Sequence, residues 1–221
     1  NGWYKQQVDT GNEKDEGQGN MFNHNTYFAK SFNSKFIRNI FLRSSSIQNK
    51  WTASSDSDSK VDSIKSHDLW MEDNVYVGGE IGISAGGNTD FDTGPRWNNI
   101  TILNNVMLAI GRDRPTNRTL GWNIDATDWD GGLICGNYIL HTDNLEVKNL
   151  VGIRLNGHSN DVIIAENTIH GLISPNPSSK TAAISINSDP KENIRVSENN
   201  IQLVGSNMRV LIADQIDSVV F

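Results

Sequence analysis

Short apolar–polar alternations recur along the chain, and each is broken by an asparagine. FIRNIFL from Phe36, LWMEDNVYV from Leu69, ITILNNVML from Ile100, LICGNYIL from Leu133, VIIAENTI from Val162 and IRVSENNI from Ile194 align on one column. That column is Asn39, Asn74, Asn105, Asn137, Asn167 and Asn199, at intervals of 35, 31, 32, 30 and 32 residues. Two positions later stand Phe41, Tyr76, Met107, Ile139, Ile169 and Ile201, all apolar or aromatic. A second strand phrase follows: EIGIS, LGWNID, VGIRLN, AAISIN and RVLIAD. Period-two alternation in these phrases predicts half-buried strands, and no stretch carries a helical stripe. Several short strands in every repeat of this length predict a solenoid.

Stacked coils give the asparagine column a physical reason. One amide carries both donor and acceptor, so identical side chains about 4.8 Å apart can bond from coil to coil. The predicted fold is therefore all-β, a right-handed single-stranded parallel β-helix, a solenoid of about six to seven coils. A WD40 or kelch propeller would need longer repeats and its own signatures, and a β-sandwich has no reason to keep one register over six units. Residues 1–221 read as a single domain with an irregular segment at 1–19. The uncapped ends, with Val219, Val220 and Phe221 inside an expected strand, suggest part of a longer polypeptide or covering chains.

Composition sharpens this picture. Asparagine occurs 28 times in 221 residues, which weighs against a helical bundle. The net charge of −7 speaks against a nucleic-acid binder, and no apolar run is long enough to span a bilayer. The lone Cys135 excludes an intramolecular disulfide and reads as a packed thiol.

The phrases GNMFNHNTYF (19–28), RNIFLRSSS (38–46) and VYVGGEIGISAGGN (75–88), with the asparagine column, resemble right-handed parallel β-helix proteins that act on acidic polysaccharides, the lyase and C5-epimerase group. The resemblance implies a secreted or extracellular carbohydrate-active protein with an acidic, uronate-containing polysaccharide in a groove across the coils. One departure stands out. Where related phrases carry Arg-Ser-Gly-Gly after the SSS turn, this chain has WTASSD (51–56), which shifts the expected groove towards Arg118 and Arg154.

Alternation places Asn25, Tyr27, Lys50, Thr52, Glu80, Ser84, Asn123, Asp125, Arg154, Asn156, Ser185 and Asn187 outward, with Trp122 inward. β-Elimination from a uronate needs a group that neutralises the C6 carboxylate, a base for the C5 proton and an acid for the leaving oxygen. Arg154, Lys50 or Arg118 suits the first role, His24 or Lys50 the second, and Tyr27 the third. His–Tyr pairs serve in this way in lyase families that the chain resembles. His24, Tyr27 and Arg154 are thus the candidate catalytic residues, and Lys50, Arg118, Asn123, Asp125, Asn156 and His158 the candidate substrate-binding ones. Arg112 and Arg114 flank the same turn and read as surface ion pairs.

Three other chemistries compete. A hydrolase would pair carboxyl groups such as Glu80 and Asp125, with Asp128 and Asp130 nearby. A tailspike-like or adhesin solenoid would bind polysaccharide without cleaving it. The aspartate-rich turns at 56–62, 90–92 and 128–131 carry oxygen ligands of the kind Ca²⁺ takes, but in no EF-hand spacing, and they read as solvated turns. His67, His141, His158 and His170 lack zinc spacing, so no metal is assigned.

Overall fold

A computed structural model describes residues 21–52, 66–86, 97–112, 116, 118, 120–141, 147–174, 181–188, 193–204 and 208–213. The segment 1–19, the aspartate-rich turns at 56–62 and 90–92, and Arg114 lie outside the described residues.

The strands follow one another in threes. They are β1 (Thr26–Ala29), β2 (Phe32–Ile37) and β3 (Ile40–Leu42), then β4 (Ile47–Thr52), β5 (Ser66–Glu72) and β6 (Val75–Val77). Next come β7 (Ile81–Ala85), β8 (Trp97–Leu103) and β9 (Val106–Leu108), then β10 (Leu120–Thr127), β11 (Trp129–Cys135) and β12 (Tyr138–Leu140). The set is completed by β13 (Asn149–Gly157), β14 (Asn160–Ala165) and β15 (Thr168–Leu172), by β16 (Ala182–Ser188), β17 (Arg195–Ser197) and β18 (Asn200–Leu203), and by β19 (Arg209–Ala213). Every third strand pairs in parallel with the one three before it. Among the described residues these make three sheets of seven, six and six strands, in the order β1-β4-β7-β10-β13-β16-β19 for the first. The chain is a parallel β-helix, as its repeats predict.

The apolar column predicted two residues after each asparagine is in register: Phe41 pairs with Tyr76, then Met107, Ile139, Ile169 and Ile201 follow strand by strand. Five of the six are buried or packed on the core at full depth, and Phe41 and Tyr76 stack at 4.9 Å. The second sheet faces them with Met71, Ile102, Ile134, Ile164 and Val196. Stacked apolar rows in a dry interior supply the main driving force for this architecture.

The asparagine ladder forms as expected. Nδ2 of Asn39, Asn74, Asn105, Asn137 and Asn167 each donates to Oδ1 of the next member at 2.9–3.0 Å. The backbone N–H of each of these residues donates to the same oxygen. The residue before each rung, namely Arg38, Asp73, Asn104, Gly136, Glu166 or Glu198, has φ between 53° and 64°. This left-handed residue turns the chain from the second sheet into the third.

A second left-handed column, which the repeats did not predict, runs through Asn33, Asp68, Asn99, Gly131, Asp161 and Asn193 at the start of the second-sheet strands. Asn and Asp tolerate this conformation better than other side chains, which accounts for part of the asparagine excess. Asn193 Nδ2 donates to Asp161 Oδ1 at 2.9 Å, and Asn99 donates to Asp68.

Candidate functional site

The first sheet carries the candidate site, but its strands are bent, so alternation alone misplaces some of their side chains. In the column Gln48–Gly82–Asn123–Gly152 the side-chain direction is inward. A Cβ on Gly82 would lie 3.4 Å from Met107 Sδ, and one on Gly152 would lie 3.1 Å from Ile169 Cδ1, both core atoms. The next column, Asn49–Ile83–Ile124–Ile153, also faces the core. Two consecutive inward residues make a corner.

The corner corrects two sequence expectations. Asn123 is fully buried, donates to Val151 O at 3.0 Å and cannot touch a ligand from this position. Trp122, expected inside, turns outward instead, with the Arg154 guanidinium 4.0 Å above its ring. Glu80 also departs from its expected outward setting and is fully buried.

Beyond the corner the alternation holds. Tyr27, Lys50, Ser84, Asp125, Arg154 and Ser185 form one outward row, in register across adjacent strands. The row divides into two clusters.

The first cluster brings together His24, Tyr27, Lys50 and Arg118. The His24 and Tyr27 rings stack with centroids 5.8 Å apart, and Lys50 Nζ lies 5.3 Å from the centre of the Tyr27 ring. Tyr27 is half-exposed and its phenol oxygen accepts a bond from Thr52 Oγ1 at 3.3 Å. Arg118 enters from the turn before β10. Its Nε donates to Glu80 Oε2 at 2.8 Å and its Nη2 to Ser46 Oγ at 2.6 Å, while a second contact from Nη2 closes the ion pair with Glu80. Thr116 donates to the other Glu80 oxygen.

Burial, then the positive charges of Lys50 and Arg118, hold His24 down at a pKa of about 4, so its imidazole is neutral at pH 7. Burial lowers the Lys50 ammonium as well, and Arg118 adds to that effect against the opposite pull of Tyr27. Burial raises Glu80, opposed by Thr116 and Arg118.

The second cluster lies further along the row. Arg154 Nε stands 3.7 Å from Asp125 Oδ1, to which Asn156 Nδ2 also donates at 3.2 Å. Ser84 Oγ donates to Asp125 Oδ2 at 3.4 Å. Burial raises the Asp125 carboxyl, and Arg154 and Ser84 pull it back. Arg154 is three strands from Lys50, about 14 Å at the usual strand spacing, so it does not join His24 and Tyr27.

His158 stands past the end of β13, half-buried, with its backbone N–H bonded to Asp128 Oδ1 at 2.9 Å. Asp128, Glu80 and Asp125 are each held by neighbouring donors. Among the described residues no three His, Cys, Asp or Glu side chains are grouped to hold a metal ion.

Sequence reasoning found the members of the first cluster but missed Ser46, Thr116 and the role of Glu80. The run of three serines at 44–46, buried throughout, was the available signal that something polar is seated there. No protein-family model, no curated protein and no solved structure matches the chain.

Proposed function

We propose that this β-helix is a secreted or extracellular polysaccharide lyase that cleaves an acidic, uronate-containing polymer by β-elimination over the first sheet. The observation that carries the reading is the convergence of His24, Tyr27 and Lys50, with Arg118 beside them. Lys50 takes the C6 carboxylate and so stabilises the charge that develops when the C5 proton leaves. Neutral His24 accepts that proton. The C5–H electron pair becomes the C4–C5 double bond, the C4–O bond breaks, and the Tyr27 hydroxyl protonates the departing oxygen. Water then restores both side chains.

A bound carboxylate also tunes the base. Its negative charge offsets the Lys50 and Arg118 contributions that depress His24, so the imidazole becomes more basic when substrate is in place. Glu80 cancels the charge of Arg118.

The test is incubation of the full chain with alginate, pectate, unsulfated glycosaminoglycans and sulfated algal polymers. Ultraviolet absorbance of the new double bond and reducing ends are followed together, and both should rise on at least one polymer. Reducing ends without absorbance would assign hydrolysis. Altered uronate composition without cleavage would assign epimerisation, and binding alone would assign a non-catalytic solenoid.

A further inference from the structure

Arg154 has no part in the cluster at His24, yet it is held in one setting on the same face. Its guanidinium lies 4.0 Å over the Trp122 ring, and its Nε stands 3.7 Å from Asp125 Oδ1, too far for a hydrogen bond. Asp125 is itself fixed by Asn156 Nδ2 and Ser84 Oγ. The ring contact and the ion pair therefore orient the guanidinium without using its N–H groups. Among the described residues Arg154 makes no hydrogen bond, and its side chain is 28% exposed. An arginine placed there only to pair with Asp125 would close on it through N–H···O bonds. What stands in the row instead is a preorganised donor fork beside a fixed acceptor.

Its place in the row gives the fork a ligand. Tyr27, Lys50, Ser84, Asp125, Arg154 and Ser185 stand on successive strands. The strands are about 4.8 Å apart, close to the advance of one 1→4-linked sugar unit. A polymer with one unit at Lys50 thus brings its third unit beyond that to Arg154. Resting on the polysaccharide reading above, we infer that Arg154 and Asp125 form a second sugar subsite, three units from Lys50, which takes ring hydroxyls and not carboxylates. The pair carries no net charge, so whatever a carboxylate gains from Arg154 is opposed by Asp125. A sugar hydroxyl both donates and accepts, which matches N–H donors set beside a carboxylate. The subsite therefore reads the length of the chain and not its charge.

The experiment is titration calorimetry of the full chain carrying Tyr27→Phe, so that no oligomer is consumed. The ligands are two-unit and four-unit oligomers of galacturonate, mannuronate, hyaluronan and unsulfated chondroitin. Four units reach Arg154 from Lys50 and two do not. In at least one series the Kd should be lower by about fivefold or more for four units than for two. That ratio should hold as salt rises from about 50 to about 500 mM, since no counterion is displaced at a neutral pair. Adding Arg154→Met should bring the ratio down to about twofold or less, with circular dichroism confirming the fold. A smaller native ratio, a ratio untouched by Arg154→Met, or no binding in any series would overturn the inference. A ratio that collapses with salt would also overturn it, by assigning Arg154 to a carboxylate. Calorimetry reads binding alone. If the length preference appears while the native chain forms no unsaturated product, the lyase reading fails and the subsite stands; product without the preference removes the subsite and leaves the lyase reading.

Discussion

Asn105 illustrates how much rests on one side chain. It is fully buried, donates to Met71 O, Leu103 O and Asn137 Oδ1, and accepts from both the backbone and side chain of Asn74. Asn105→Ala would strand several buried polar groups at once, and its expected cost is about 3 kcal/mol or more, measured by denaturant unfolding. A loss below about 1 kcal/mol would show that the ladder is dispensable. A second residue-scale expectation concerns His141, which burial holds at a pKa of about 4. Its ordinary value is near 6.5, so the unfolded chain takes up the proton first as pH falls. Stability from this group is intact above pH 6.5, declines as the pH drops, and is lost by about pH 4, a span of about 3 kcal/mol. His141→Gln should flatten that part of the stability–pH curve, and an unchanged slope would rule the group out.

The residues legible in the sequence were those whose role repeats. The asparagine rungs and the apolar column beyond them recur six times, so a pattern exposes them. Trp122 and Asn123 were misread because a single inward step at the corner reverses every assignment before it. Nothing in LGWNID distinguishes a bent strand from a straight one. Glycines at 82 and 152 mark the same corner in neighbouring strands and were the signal that could have revealed it.

At the scale of elements, the turns out of the first sheet are as constrained as its strands. Gly86 follows β7 with φ +112°, and a Cβ there would fall 1.9 Å from Thr127 O. Gly86→Ala thus combines a strained backbone with a collision against backbone, and its expected cost is about 2–4 kcal/mol in thermal or denaturant unfolding. A neutral outcome would mean that β7 and β10 separate more easily than their register implies. The third sheet tells a different story. Ile40 and Leu42 on β3 are 69% and 47% exposed at the end of that sheet's described strands. Exposed apolar edges promote self-association, so Ile40→Lys should lower concentration-dependent light scattering. Unchanged scattering would place the sticky surface elsewhere. Strand existence and order were readable from periodicity, whereas the second left-handed column was not, because Asn, Asp and Gly alternate there without a fixed apolar neighbour.

The whole molecule carries a net charge of −7, yet its candidate site is held together by cations. The sequence suggested that arginines would gather in one groove. Instead Arg118 and Arg154 sit in separate clusters, each with its own carboxylate, and Lys50 stands with His24 and Tyr27. Pairings of this kind depend on contacts between residues 23 to 38 positions apart, which no local pattern encodes. The reading of the site as an eliminase depends on the acid, the base and the cation acting together. The most direct measurement is the initial rate of double-bond absorbance for the native chain and for Tyr27→Phe on the same polymer, with circular dichroism confirming that both are folded. Tyr27 is half-exposed and, among the described residues, its hydroxyl is bonded to Thr52 alone, so the fold should tolerate the change. The rate is expected to fall by about 10²-fold or more, the usual contribution of a positioned general acid. A Tyr27→Phe rate equal to that of the native chain would contradict it.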